Sequence, residues 1–257
     1  MIDIAAATLR SLAFLTRLPP VGRAFTGNHP LGDDAHAFPI AGLIAALPAA
    51  ITVAAVAAVG LSPLVAATLS IAVLVLTTGA LHEDGLGDVA DGLGGHHERE
   101  RALVIMKDSR IGSYGALALI LSIGLRIGLT AEIAGRSHEA AALAVLAAAA
   151  ASRGAMGWLW ASLPSADIGG LADRVGQPSR RTGGLGLGLG AAILAVLGYA
   201  AAAALGVVLP ILFGGIATFL FRAFVKRRLG GQTGDCLGAC QQLCEIAILL
   251  GLAVALA

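Results

Sequence analysis

Charged and aromatic side chains are scarce in this chain of 257 residues. Asp, Glu, Lys and Arg make up 13% and aromatics 4%, against 57% apolar residues. A soluble chain of this length can bury a sizeable core, but not one dominated by long uncharged runs. The formal net charge of +1 leaves no basic surface for nucleic acid, so no nucleic-acid partner is expected. Three cysteines, an odd number, supply no disulfide framework. Residues 1–20 have no continuous apolar core and are interrupted by Arg10 and Arg17, so no removable signal peptide is expected.

Long hydrophobic stretches are what the chain has instead. Residues 182–221 carry no charge at all, enough for two membrane spans and a turn. The pattern predicts an all-α polytopic helical bundle of about seven spans, at 38–60, 62–81, 112–134, 139–163, 184–205, 207–225 and 236–256. It reads as a single membrane-embedded domain over 1–257. The segment before Pro19-Pro20 suits either a helix lying in the membrane interface or a short buried helix. Residues 21–37 read as a polar loop, in which His29, Asp33, Asp34 and His36 are either ligands or solvated.

The basic residues test the span count. With a cytoplasmic N-terminus, most of the 17 Lys and Arg fall in cytoplasmic segments: Arg10, Arg17, Arg23; Arg99, Arg101, Lys107, Arg110; Arg174, Arg180, Arg181; Lys226, Arg227, Arg228. Only Arg136 falls outside, and Arg126, Arg153 and Arg222 lie within spans. The positive-inside rule expects such one-sidedness. It also brings 82–91, 96–111, 164–183 and 226–235 to one membrane face.

The first of these segments concentrates the chemistry. It follows the uncharged run 62–81 and delivers Glu83, Asp84, Asp88 and Asp91 within nine residues. If the preceding helix continues, Asp84, Asp88 and Asp91 fall at i, i+4 and i+7, within roughly 60° on one face. Three aspartates on one stripe need positive compensation, and oxygen-only ligands beside glycines favour Mg²⁺. A solvated acidic helix end is the bland alternative.

In 105–115, Ser109 or Ser113 could cap the next helix, with Lys107 and Arg110 near its N-terminus, where an anion is welcome. In 226–235, Lys226-Arg227-Arg228 precede Gly230-Gly231-Gln232-Thr233-Gly234, whose amides could form an anion-binding concavity. Asp235 could add a metal oxygen. Taken alone, the basic triplet is a topology signal and the glycines a helix stop. Arg126, Glu132, Arg153, Arg222 and Glu245 lie in apolar runs, where charge is expensive and is paired or functional. Cys236, Cys240 and Cys244 at i, i+4 and i+8 read as packing residues rather than a zinc site.

Taken together, these residues resemble the cobalamin synthase family (adenosylcobinamide-GDP ribazoletransferase, cobalamin-5′-phosphate synthase). The resemblance rests on His82-Glu83-Asp84-Gly85-Leu86-Gly87-Asp88-Val89-Ala90-Asp91-Gly92 and on Phe14-Leu15-Thr16-Arg17-Leu18-Pro19 with Phe38-Pro39-Ile40-Ala41-Gly42. Ile105-Met106-Lys107-Asp108-Ser109-Arg110-Ile111-Gly112, Ser152-Arg153-Gly154 and residues 230–239 also agree, in order and spacing. Glu83 departs from it, standing where the family usually has an apolar residue.

The resemblance implies a Mg²⁺-dependent phosphotransferase of the bacterial inner membrane with its active site on the cytoplasmic side. It joins adenosylcobinamide-GDP to α-ribazole or its 5′-phosphate and releases GMP. Asp84, Asp88, Asp91 and Asp235 are the expected metal ligands. Asp88 or Asp91 is the expected proton acceptor, and Arg110 completes the catalytic set. Lys107, Ser109, Arg153, Lys226, Gly231, Thr233 and Gly234 are expected at the substrates. The resemblance leaves open a homo-oligomer or a complex with other cobalamin-assembly enzymes. Two other readings stand beside it: a membrane enzyme like the CDP-alcohol phosphotransferases, and a cation transporter using 82–91 as its site.

Overall fold

Hydroxyl side chains start four of the long helices. Ser62, Ser137, Ser179 and Thr233 accept the backbone N–H three residues on, from Val65, Ala140, Thr182 and Cys236. Each thereby satisfies one of the amides that a helix start leaves without a partner. The computed structural model describes residues 3–25, 29–95 and 98–257, except for the side chains of Arg23, Ala57 and Leu171. Its helices are α1 (Ile4–Leu15), α2 (Phe38–Ala58), α3 (Pro63–Thr78), α4 (Leu81–Gly94), α5 (Arg99–Met106), α6 (Ser113–Ala134), α7 (His138–Ser162), the single turn α8 (Leu171–Arg174), α9 (Arg180–Ala202), α10 (Leu205–Leu229) and α11 (Gly234–Ala255).

The protein is an all-α polytopic membrane protein. Among the described residues, six helical segments are long and apolar enough to cross a membrane, or seven if the bent pair α3 and α4 counts as one more. The observed helices lie within a few residues of the expected spans. The Ala-rich α7 and the glutamine- and cysteine-bearing α11 form the centre: 83% and 72% of their most apolar stretches are buried, against 22% for α6, α9 and α10. The last three therefore turn apolar side chains such as Leu121, Val196 and Phe219 outward, where lipid would solvate them.

Two expectations need correction. Residues 62–91 do not form one continuous helix. Gly79 (φ 64°) and Ala80 (φ 59°) both adopt the left-handed conformation, so α3 stops and α4 leaves at 89°. The polar loop expected at 21–37 contains two 3₁₀ segments, Gly22–Phe25 and Leu31–Ala37. Asp34 there is no free ligand, because Arg10 clamps both its oxygens at 2.7 Å. Helix α1 buries Ala7, Ser11, Leu12 and Leu15 against the bundle, as a short packed helix does. His29 and Asp33 are exposed, and the His36 ring nitrogen Nδ1 pairs with the Asp33 carbonyl at 2.9 Å.

One end of the bundle is tied together by its loops. Arg99 at the start of α5 donates to the carbonyls of Leu229 and Ala166, and Arg228 at the end of α10 donates to Gly95. Ser165 and Gln232 form a parallel β-bridge. Segments 82–91, 99–111, 164–167 and 226–235 thus share one face.

Candidate active site

Helix α4 owes its position to close approach and to a buried ion network. A Cβ on Gly85 would lie 2.7 Å from the Asp235 carbonyl oxygen, so only glycine lets α4 sit this near the start of α11. On the opposite face, Glu83 is buried and accepts from Arg126 (2.6 Å) and from Gln242 (3.1 Å). Arg126 reaches Glu245 at 2.8 Å, and Gln242 also accepts from Ser122. The departure at Glu83 is therefore matched by a buried arginine on α6. With Glu83 turned inward, Asp84 is left on the open side of the helix.

That side borders a cavity of about 390 Å³. Asp84, Asp235, Asp167 and Lys107 are among its polar lining residues, and Phe14, Phe38, Met156 and Trp160 among its apolar ones. Phe38 and Trp160 stack with ring centroids 6.2 Å apart. Lys107 pairs with Asp167 at 2.7 Å, joining the loop after α5 to the segment after α7. Among the described residues, Asp84, Asp88 and Asp235 have no basic partner. Partial burial, then the carboxylates of Asp235, Asp84 and Asp91, push the Asp88 carboxyl up to about 7.

Asp91 behaves differently from the other aspartates. Its two oxygens accept the backbone N–H groups of Gly112 (2.7 Å) and Gly115 (2.8 Å). It is thus the anionic cap of α6, a role expected of Ser109 or Ser113. A carboxylate already holding two amides is a poor member of an open ligand set. Among the described residues, no group of three or more His, Cys, Asp or Glu comes together tightly enough to hold an ion, and the cysteines 236, 240 and 244 are free and buried. The donor chemistry of Asp84, Asp88 and Asp235 still suits a hard divalent ion: oxygen-only, mutually repelling and uncompensated.

Gly234 lines the cavity beside Asp235, whereas the preceding turn is closed. Gly230 (φ 72°) ends α10, the Gln232 amide donates to Pro164 at 2.8 Å, and Thr233 caps α11. Gly231 is buried against 164–166, and the Gly230 and Gln232 amides are already taken by the carbonyls of Lys226 and Pro164. Arg110 is exposed and grips Asp108, whose carboxyl it holds down at about 2 chiefly by hydrogen bonding. Ser109 and Lys226 are exposed and line no part of the cavity. Arg153 lines no part of the cavity; it is 1% exposed, donates to the Ala149 carbonyl and stands 4.0 Å from Glu245. Its burial among the central helices makes it part of the ion network.

Sequence reasoning missed Asp167, Met156 and Trp160 as walls of the cavity, since single residues in Ala-rich or loop sequence carry no spacing signal. Phe14 and Phe38 stood in quoted motif stretches and now have a location. Those stretches lie far apart in the chain yet meet at one cavity.

Comparison with known proteins bears on what this cavity serves. The family model for cobalamin-5-phosphate synthase matches residues 7–253. The adenosylcobinamide-GDP ribazoletransferase of Rhizobium johnstonii is 46% identical over 256 residues, covering 99% of this chain and 98% of that protein. The enzymes of that name from Sinorhizobium medicae and Brucella canis are 46% and 43% identical over 251 residues, each alignment covering at least 95% of both chains. No solved structure matches significantly. A match of this length, reaching from α1 to the end of α11, leaves one conclusion: the chain belongs to the cobalamin-5-phosphate synthase family.

Proposed function

We propose that the protein transfers the cobinamide phosphate of adenosylcobinamide-GDP to ribazole, a late step of cobalamin biosynthesis that releases GMP. The observation that carries this reading is the meeting of the 14–19, 38–42, 105–112, 82–92 and 230–239 stretches at one cavity lined by both carboxylates and aromatic rings. Its volume lies in the range of cavities that take a nucleoside-sized molecule. The corrin, several times larger, would stay outside it. The Phe38–Trp160 stack suits the flat apolar base of ribazole. Family membership removes the readings as a cation transporter and as an enzyme like the CDP-alcohol phosphotransferases.

In the reaction a ribazole hydroxyl oxygen bonds to the phosphorus that carries cobinamide. The bond from that phosphorus to the bridging oxygen breaks, and GMP leaves with its electron pair. The hydroxyl proton needs an acceptor. Asp88 suits this better than Asp91, because its carboxyl titrates near neutrality while both Asp91 oxygens are held by amides. Asp84 and Asp235, with Asp88 adjoining, would hold the Mg²⁺ expected of this family. When bound, the ion supplies positive charge to the diphosphate oxygens. Lys107 and Arg110 each keep donors beyond those on Asp167 and Asp108, which a substrate phosphate would engage.

The basic loops support a cytoplasmic N-terminus and an active face open to the cytoplasm, in the inner membrane, with 1–257 acting as one unit. The test is GMP release from adenosylcobinamide-GDP and α-ribazole by purified protein in detergent. Turnover is expected with Mg²⁺ and none after chelation. Turnover undiminished by chelator, or by Asp88→Asn, would overturn this assignment of the carboxylates.

A further inference from the structure

Trp158 and Trp160 are two residues apart on α7 and therefore face about 200° apart. Trp160 lines the acidic cavity, and Trp158 lines two others on the outer side of the bundle. One is a cavity of about 250 Å³ at the loop-bearing end, bounded by Trp158, Ala161, Ser162, Arg180 and Arg222. The other is an apolar furrow of about 290 Å³ between α7, α9, α10 and α11, walled by Trp158, Leu187, Leu194, Ile211, Gly215 and Phe219 among others. A second furrow on the outer face of α10 shares Ile211, Gly215 and Phe219 with the first. A basic mouth thus leads through one indole ring into two apolar grooves that meet at Phe219.

The mouth is ordered in advance. Arg222 donates through Nε to the Ser162 hydroxyl (2.8 Å) and through Nη2 to the Ser162 carbonyl (3.2 Å). Its guanidinium lies 5.6 Å from the centre of the Trp158 ring. Neither Arg222 nor Arg180 has an acidic partner among the described residues. Guanidinium donors beyond those used on Ser162 remain for an anion. From Arg222 to Ile211 the helix runs about 16 Å, so the furrows extend from the charged end toward the middle of the span. Two cations at the loop-bearing end, an indole beside them and apolar grooves running along the helices are the chemistry of a single amphiphile with an anionic head.

We propose that this face binds one anionic phospholipid, its phosphate at Arg180 and Arg222, its glycerol level at Trp158, and its two acyl chains in the furrows on either side of Phe219. Two uncompensated arginines favour a net-negative headgroup over one that carries its own ammonium. The site is distinct from the acidic cavity and does not depend on the reaction assigned to it.

The experiment is thermal unfolding of the full chain in maltoside micelles, with added dioleoylphosphatidylglycerol, dioleoylphosphatidylcholine or inorganic phosphate. Arg222→Gln removes bonds to Ser162 and can weaken the fold, so the variants are Arg180→Gln, at an exposed position, and Gly215→Leu. A Cβ at 215 meets no atom within 4 Å, and Gly215 lines both furrows, so leucine there would extend into the groove. Phosphatidylglycerol is expected to raise the unfolding midpoint by several degrees, phosphatidylcholine and phosphate not, and each variant is expected to lose most of that shift. Equal shifts with the two lipids, an equal shift with phosphate alone, or an undiminished shift in both variants would overturn the proposal.

Discussion

Asp88 and Asp91 lie three residues apart on one helix, yet their surroundings give them opposite chemistry. Asp91 accepts two amides and holds the start of α6. Replacing it with alanine should cost about 1–2 kcal/mol, the scale of a lost helix cap, read as a lower unfolding midpoint in detergent. Asp88→Asn should instead leave the midpoint undiminished and reduce GMP release roughly 10²–10⁴-fold, the scale of a lost general base. If Asp91→Asn removed turnover with the fold intact, the structural role given to Asp91 would be wrong.

The raised carboxyl of Asp88 also sets a pH dependence. In metal-free protein, between the ordinary carboxylate range and about 7, the folded state holds a proton that the unfolded chain has released. Its contribution to stability is therefore full below the ordinary range and is lost as pH rises through about 7. With chelator present, the unfolding midpoint should fall over that window, and Asp88→Asn should flatten the slope. A midpoint that rises instead would mean Asp88 is compensated by a cation that its neighbours Asp84, Asp91 and Asp235 do not supply.

At the scale of the helix, span boundaries were legible because charge and glycine mark them: the long apolar runs predicted α2, α6, α7, α9, α10 and α11 within a few residues. The break between α3 and α4 was not legible. Nothing in Thr78-Gly79-Ala80-Leu81 forbids a helix, and Ala80 is a good helix former held at φ 59° by its surroundings. The i, i+4, i+7 stripe was correctly placed on a helix, but spacing could not reveal that Asp91 would be taken by the amides of Gly112 and Gly115. The cavity's aromatic wall was also invisible, because residues 14, 38 and 160 are brought together only by packing of α1, α2 and α7. The left-handed residue gives a direct test. Ala80→Gly should be tolerated, whereas Ala80→Val puts a β-branched side chain in that conformation and should destabilise by about 2 kcal/mol. Because α4 carries the carboxylates, Ala80→Val should lower turnover along with the midpoint; equal stability of the two variants would mean that the bend relaxes freely.

Across the whole molecule, four helices are joined by charges that membrane burial would otherwise forbid. Glu83 on α4, Arg126 on α6, Arg153 on α7 and Glu245 on α11 balance as two cations and two anions. Gln241 and Gln242 fill the gaps: Gln241 donates to Ser152, and Gln242 donates to both Gln241 and Glu83. Such a network adds little net stability compared with apolar packing, but removing one member leaves a buried charge without its partner. It also fixes the rotation of α4, since turning Glu83 away from Arg126 would carry Asp84 and Asp88 away from Asp235. Glu83→Ala should therefore destabilise the protein by about 3–5 kcal/mol. Glu83→Gln keeps the shape and one acceptor, and should lose less. Replacing Glu83 and Arg126 together by leucine and methionine removes both charges and leaves Glu245 to Arg153. That double variant should recover much of the midpoint lost in Glu83→Ala. Turnover separates the two roles: if the network only stabilises, activity returns with the midpoint, and if it also aims α4, the double variant folds yet stays slow.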